Sequence, residues 1–225
     1  MSGQTRIVLI HATRVAIDPI EAAFRACWPA ALTISILEEG LSVDLAEGRV
    51  SRQELDVRIL RLAEYAMEIG PDAILFTCSS FGTGIAQASA RLSIPVLKPN
   101  EAMFDAAIGA GGRAVMLYSF PPAKQGMEEE FAEAARQAGA NAELRSVFVK
   151  DALDALKAGD AETHDQLVAE AAANINDADA IMLAHFSMSR AVGVARVRTS
   201  LPILTSPETA ISKLQDLLSQ RDRTC

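Results

Sequence analysis

Apolar residues along the chain fall into short continuous runs separated by longer stretches of helical period. The runs are "RIVLIHA" (6–12), "LTISILEE" (32–39), "DAILFTC" (72–78), "IPVLKP" (94–99), "RAVMLYS" (113–119), "AELRSVFV" (142–149), "DAIMLAH" (179–185) and "LPILTSP" (201–207). Between them lie amphipathic stretches such as "RQELDVRILRLAEYAMEIG" and "MEEEFAEAARQAG". Runs without alternation read as strands buried on both faces, and strands alternating with helices predict a parallel sheet covered on both sides. Gly70 and Gly139 stand where two of the helices should stop. The predicted class is α/β.

The pattern is written twice. "DAILFTCSSFGTGIAQASARLSIPVLKPNEA" aligns with "DAIMLAHFSMSRAVGVARVRTSLPILTSPET", pairing Asp72 with Asp179, Arg91 with Arg198, Pro95 with Pro202 and Glu101 with Glu208. The offset of 107 (202 − 95) also links Arg6 to Arg113, whereas the second run of each half matches poorly. This predicts two pseudo-symmetric lobes, each a four-stranded, mainly parallel sheet flanked by helices, with the active site in the cleft between them. The first lobe is residues 1–98 and the second 99–206. The last helix, within 207–225, packs back on the first lobe.

Composition narrows the chemistry. Of 225 residues half are hydrophobic and 22% charged, which fits a globular chain with a substantial core. The net charge is −8 and no basic stripe with interleaved aromatics occurs, which argues against nucleic acid. No run approaches the roughly 20 apolar residues of a membrane span, and "IVLI" is too short for a signal core. Three cysteines without CxxC spacing point to a reducing cytoplasm. Cys27, in "FRACWPA", reads as a small buried hydrophobe and Cys225 as a frayed terminus.

That leaves Cys78, in "LFTCSSFGTG", where a buried strand runs into hydroxyls and glycines. Adding 107 to it gives His185. Ligands of open α/β sheets bind outside the carboxyl ends of strands, so the repeat offers a thiol and an imidazole at equivalent positions. A helix N-terminus after Cys78 would lower the thiol's pKa. Imidazole takes and gives protons near neutrality. One acid/base group on each face of a carbon acid is what a proton-transfer isomerase requires. Hydroxyls and N–H groups aimed at the substrate carboxylate would stabilise the enolate-like intermediate.

"FTCSSFG" after a strand, echoed half a chain later by "LAHFSMS", resembles the aspartate/glutamate racemase superfamily, with its amino-acid and hydantoin racemases, maleate isomerase and arylmalonate decarboxylase. The resemblance covers nearly the whole chain. It implies a cofactor- and metal-free isomerase acting beside the carboxylate of a small substrate, in a cytoplasmic homodimer. Cys78 takes the place of the first catalytic cysteine, and Ser79 and Ser80 that of carboxylate binders. Tyr118 and Ser119 fall where members carry further carboxylate-binding groups, as do Phe186 and Ser187 beside the second motif. His11 and Thr13 fall where members contact the polar end of the substrate. The second catalytic cysteine is absent and His185 stands in its place. A lone Cys78 also fits a decarboxylase or a covalent cis–trans isomerase, and a chain that kept its site without catalysis would bind carboxylates without turnover.

Other readings of the same residues are structural. Serines at these positions also cap helices. Arg14 is a solvated loop residue or a partner for a second substrate carboxylate, and His164, in "ETHDQLVAEA", belongs on a solvated helix face. His11, Cys78 and His185, spread singly over three strands, lack the paired spacing of a zinc site. "GAGG" (109–112) follows a helix and precedes a strand, the wrong order for a dinucleotide loop.

Overall fold

A computed structural model describes residues 4–224; Cys225 lies outside them. The chain forms two compact units. One runs to Pro99 and takes in the chain again from Ala210; the other is Asn100–Thr209.

The first unit holds β1 (Arg6–His11), α1 (Ile17–Cys27), β2 (Leu32–Leu37), α2 (Gly40–Glu47), α3 (Arg52–Glu68), β3 (Ala73–Phe76), α4 (Gly82–Arg91) and β4 (Val96–Leu97). The second holds α5 (Glu101–Gly109), β5 (Arg113–Tyr118), α6 (Lys124–Gln137), β6 (Glu143–Phe148), α7 (Ala152–Lys157), α8 (Ala161–Ala173), β7 (Ala180–Leu183), α9 (Val192–Arg196) and β8 (Ile203–Thr205). Helix α10 (Ser206–Thr224) begins in the second unit and continues into the first. Each unit is a four-stranded, all-parallel sheet flanked by helices, ordered β2-β1-β3-β4 in one and β6-β5-β7-β8 in the other. This is the α/β architecture expected from the run pattern.

The central strands are the continuously apolar runs. Every residue of β3 and β7 is buried, and burying side chains such as Ile74, Leu75 and Phe76 stabilises by roughly 1.5–3 kcal/mol each. The edge strands β2 and β6 are only partly buried. Their place at the edge explains why their sequences carry polar residues among the apolar ones.

The repeat has a structural basis. Asp72 accepts a hydrogen bond from the backbone N–H of Arg6 at 2.7 Å, and Asp179 does the same for Arg113 at 3.0 Å. Each aspartate thus fixes the register at which the third strand of its unit meets the first. The second strands match at a different offset, 143 − 32 = 111, because α6 is longer than α1 by 14 − 11 = 3 residues and the loop after it is longer by one. At that offset Ser35 corresponds to Ser146, and each bonds the glutamate 107 apart on the preceding helix: Ser35 to Glu21 at 3.3 Å and Ser146 to Glu128 at 2.6 Å.

Two local expectations are corrected. Cys27 is exposed: it is the last residue of α1, beyond the buried Ile20 and Phe24. His164 is fully buried, since α8 turns it inward, and its Nδ1 meets Asp165 at 2.7 Å. The stretch 38–48 folds largely as α2. Among the described residues no helix is long and apolar enough to cross a membrane.

Candidate functional site

The chemistry of the first unit gathers where β3 ends. Thr77 is held by its N–H to the Ile10 carbonyl at 3.0 Å. Cys78 follows in extended conformation, and a 3-10 turn, Ser79–Phe81, leads into α4. Gly84 explains one of the glycines: a Cβ there would lie 2.9 Å from Asp56 Cα, so only glycine lets α4 approach α3 this closely.

Cys78 is half-buried and packs against the core of the first unit. Burial pushes its thiol pKa up, and hydrogen bonds from the N–H and hydroxyl of Ser80 offset this only in part. The expected lowering by a helix N-terminus is therefore overturned. The 3-10 turn separates the sulfur from α4, and desolvation is the larger influence. The resting group is the protonated thiol. Ser79 beside it is half-buried and Ser80 exposed.

Behind the thiol lies a polar chain. His11, at the end of β1, is fully enclosed; its Nδ1 is 2.8 Å from Thr77 Oγ1 and its Nε2 3.2 Å from Ser35 Oγ. Burial lowers its pKa to about 4, so it is neutral near pH 7. His11 thus has no exposed surface, and both of its ring nitrogens face protein hydroxyls. Thr13 is half-buried and extended, and its hydroxyl caps no helix. Arg14 is tied by two bonds to Glu39, at 2.7 and 3.1 Å.

The second unit repeats the arrangement at the end of β7. Ala184 N–H bonds the Leu117 carbonyl at 2.9 Å, His185 is extended, and a 3-10 turn, Phe186–Ala191, leads into α9. His185 is half-buried, and burial lowers its pKa to about 4. Its Nε2 accepts the backbone N–H of Phe120 at 3.3 Å, which puts the proton of the neutral ring on Nδ1. Phe120 also meets the ring edge-on, with centroids 6.5 Å apart. Tyr118 and Ser119 are 9% and 3% exposed, and Tyr118 leans on Phe148. Phe186 is buried, so a ligand could meet its backbone but not its ring; Ser187 is half-buried.

One residue was missed in the sequence. Arg52 donates from Nη1 to the Ser80 carbonyl at 2.9 Å and stands beside the turn that carries the thiol. The readable signal was its neighbour: Ser51 and Glu54 form a capping box that starts α3 and so fixes where Arg52 emerges. Among the described residues no three His, Cys, Asp or Glu side chains cluster in a way that could hold a metal ion.

These strand-end positions can be set against known proteins. The profile of the Asp/Glu/hydantoin racemase family matches residues 7–214, which takes in both units and both strand ends. The chain belongs to this family. A search of curated proteins returns no significant match. Among solved structures, glutamate racemase from Bacillus anthracis superposes with a TM-score of 0.71 at 15% identity, covering 96% of this chain and 82% of that one. Allantoin racemase from Klebsiella pneumoniae gives 0.70 at 16% identity, covering 96% and 88%. A glycine-to-cysteine mutant of arylmalonate decarboxylase gives 0.71 at 15%, covering 95% and 93%. At such identities the likeness is one of fold. Within the racemase family this chain has the thiol at one strand end and an imidazole at the equivalent position of the other unit.

Proposed function

We propose that the protein is a cofactor-independent racemase or isomerase that moves a proton at the carbon beside the carboxylate of a small substrate, an amino acid or a related acid. The observation that carries this reading is the Cys78 thiol, half-buried at the end of β3, bonded by Ser80 and followed by hydroxyls, in a chain of the racemase family.

The protonation states support it. A raised thiol and a lowered imidazole leave one proton for the two groups, and it rests on Cys78. A racemase needs one acid and one base at a time. In one direction neutral His185 takes the substrate proton and Cys78 S–H returns one. In the other the thiolate is the base and the imidazolium the acid. The hydrogen bond that His185 Nε2 must release is long, at 3.3 Å, and correspondingly weak. Ser79, Ser80, Thr13, Tyr118, Ser119, Ser187 and the backbone of Phe186 hold the polar groups of the substrate in this reading.

A second reading has its own observation. His185 Nε2 is already engaged, and an imidazole titrating near 4 is a weak base for a carbon acid. Cys78 alone would then protonate a carbanion left by decarboxylation, or add to a double bond in cis–trans isomerisation.

The test is proton NMR in heavy water with amino acids, hydantoins, hydroxy acids, maleate and substituted malonates. Loss of an α-proton signal with wild type but not with Cys78→Ala, giving racemic product, is the expected result. Loss of carbon dioxide with a single product hand selects the decarboxylase. Binding with no turnover in any compound selects a carboxylate-binding protein.

A further inference from the structure

We propose that His11 is the positioning residue of the Cys78 site: from inside the first unit it fixes the Thr77 side chain, and with it the turn that carries the thiol, without touching a ligand. The inference rests on the reading of Cys78 as the reacting group.

The argument starts from proton counting. Neutral His11 has one N–H for two polar neighbours, Thr77 Oγ1 at 2.8 Å and Ser35 Oγ at 3.2 Å. Ser35 donates its hydroxyl proton to Glu21 Oε1 at 3.3 Å, which leaves its oxygen as an acceptor. His11 therefore gives its proton from Nε2 to Ser35 and accepts at Nδ1 from the Thr77 hydroxyl. The other acceptor for that hydroxyl, the Ile10 carbonyl, is at 3.4 Å and is the weaker partner. One directed chain results: Thr77 to His11 to Ser35 to Glu21.

Its effect is mechanical. Thr77 is buried and is now fixed twice, by its N–H on Ile10 and by its hydroxyl on His11. Cys78 is the next residue. Both anchors belong to β1, so the thiol is referenced to the most enclosed strand pair of the unit. A reacting group held to a fraction of an ångström needs such support behind it.

The test reads the thiol directly and needs no substrate. The full-length protein is treated with iodoacetamide at one pH, and labelling of Cys78 is followed by mass spectrometry, with exposed Cys27 as the reference in the same chain. Thr77→Val keeps the shape of the side chain and removes the hydroxyl. It is expected to speed Cys78 labelling about threefold or more relative to Cys27, because the freed turn opens more often. His11→Phe should do the same, and Thr77→Ser should restore the slow rate. Wild-type rates in both Thr77→Val and His11→Phe would overturn the proposal. Long-range nitrogen–proton NMR on the unaltered protein is the second measurement: a proton on His11 Nε2 is expected, and one on Nδ1 would overturn the directed chain. With a substrate in hand, Thr77→Val should lower kcat and leave KM unchanged. Were Cys78→Ala to keep its turnover while Thr77→Val still sped labelling, the functional reading would fall and the positioning would stand.

Discussion

At the end of β3 a threonine is tied to a histidine on the neighbouring strand, and the next residue is a thiol. At the end of β7 the threonine is Ala184, the neighbouring strand carries Tyr118, and the next residue is itself a histidine. Strand order, backbone bonds and the following 3-10 turn agree between the two. Duplication has preserved the frame and exchanged the chemistry. The imidazole that supports the thiol from behind in one unit occupies the thiol's own position in the other. The thiol is backed by a side-chain hydrogen bond, whereas the imidazole of His185 is backed by a main-chain N–H, that of Phe120. A side-chain support is removed by many substitutions; a main-chain N–H is lost only to proline. The two ends should therefore answer mutation differently.

The largest expected effect is at the thiol. Cys78→Ala should cut proton exchange at the substrate carbon by about 10³-fold, the scale of a lost acid/base group. His185→Asn should cost about 10²-fold if the imidazole is the second acid/base, and little if Cys78 works alone. His185→Cys sharpens the comparison by making the two ends alike, and a rise in racemisation would identify the second position as a former partner. The pH profile separates the groups without mutation. Both directions draw on the same one-proton state of the pair, so the raised thiol pKa should hold both rates level through the ordinary thiol range and make them fall together above it. His185 is neutral above about pH 4, so no break is expected between pH 5 and 7 in rates measured by chiral chromatography.

Much of this could be read from the residues because it rests on patterns that survive duplication. Buried strands announce themselves as unbroken apolar runs, and the Asp72–Arg6 and Asp179–Arg113 pairs recur because each locks a strand register. The position of Cys78 came from the same logic. What stayed hidden depends on packing that no local pattern encodes. His164 sits in a polar stretch of α8 yet is enclosed, and the raised pKa of Cys78 comes from desolvation that a strand-end motif does not reveal. His11 offered a strand-end imidazole, but its two partners lie 24 and 66 residues away. The match of Ser35 to Ser146 was masked by the extra residues in α6 and the loop after it, which shift the second strands to a different offset.

An intermediate effect is expected on stability. His11 and His185 both have pKa values lowered from 6.5 to about 4 in the folded protein. The unfolded chain binds protons there first, so the stabilising contribution is complete above about pH 6.5 and is lost as pH falls towards 4. Each histidine adds a slope of up to about 1.4 kcal/mol per pH unit in that window. Urea unfolding of wild type at pH 7 and pH 5 should show the loss, and His11→Gln and His185→Gln should each flatten it. The two shifts are alike, so the two flattenings should be of similar size.

The smallest effect discriminates most finely. Ser35 and Ser146 occupy matching positions opposite Leu9 and Met116, and each bonds a glutamate on the helix before it. Only Ser35 has a histidine on its other side. Either serine changed to alanine should lose about 1 kcal/mol, the usual net worth of one hydrogen bond, in urea unfolding. Ser146→Ala should leave turnover and Cys78 labelling at wild-type values, because its chain ends at Glu128 and Lys124. Ser35→Ala should slow turnover severalfold and quicken labelling, because His11 loses its Nε2 partner and with it the reason to accept from Thr77. Equal behaviour of the two variants would mean that the serine–glutamate pair is a shared strut of both sheets and that the histidine adds nothing to it. Divergence would assign the difference to the one bond that the second unit lacks.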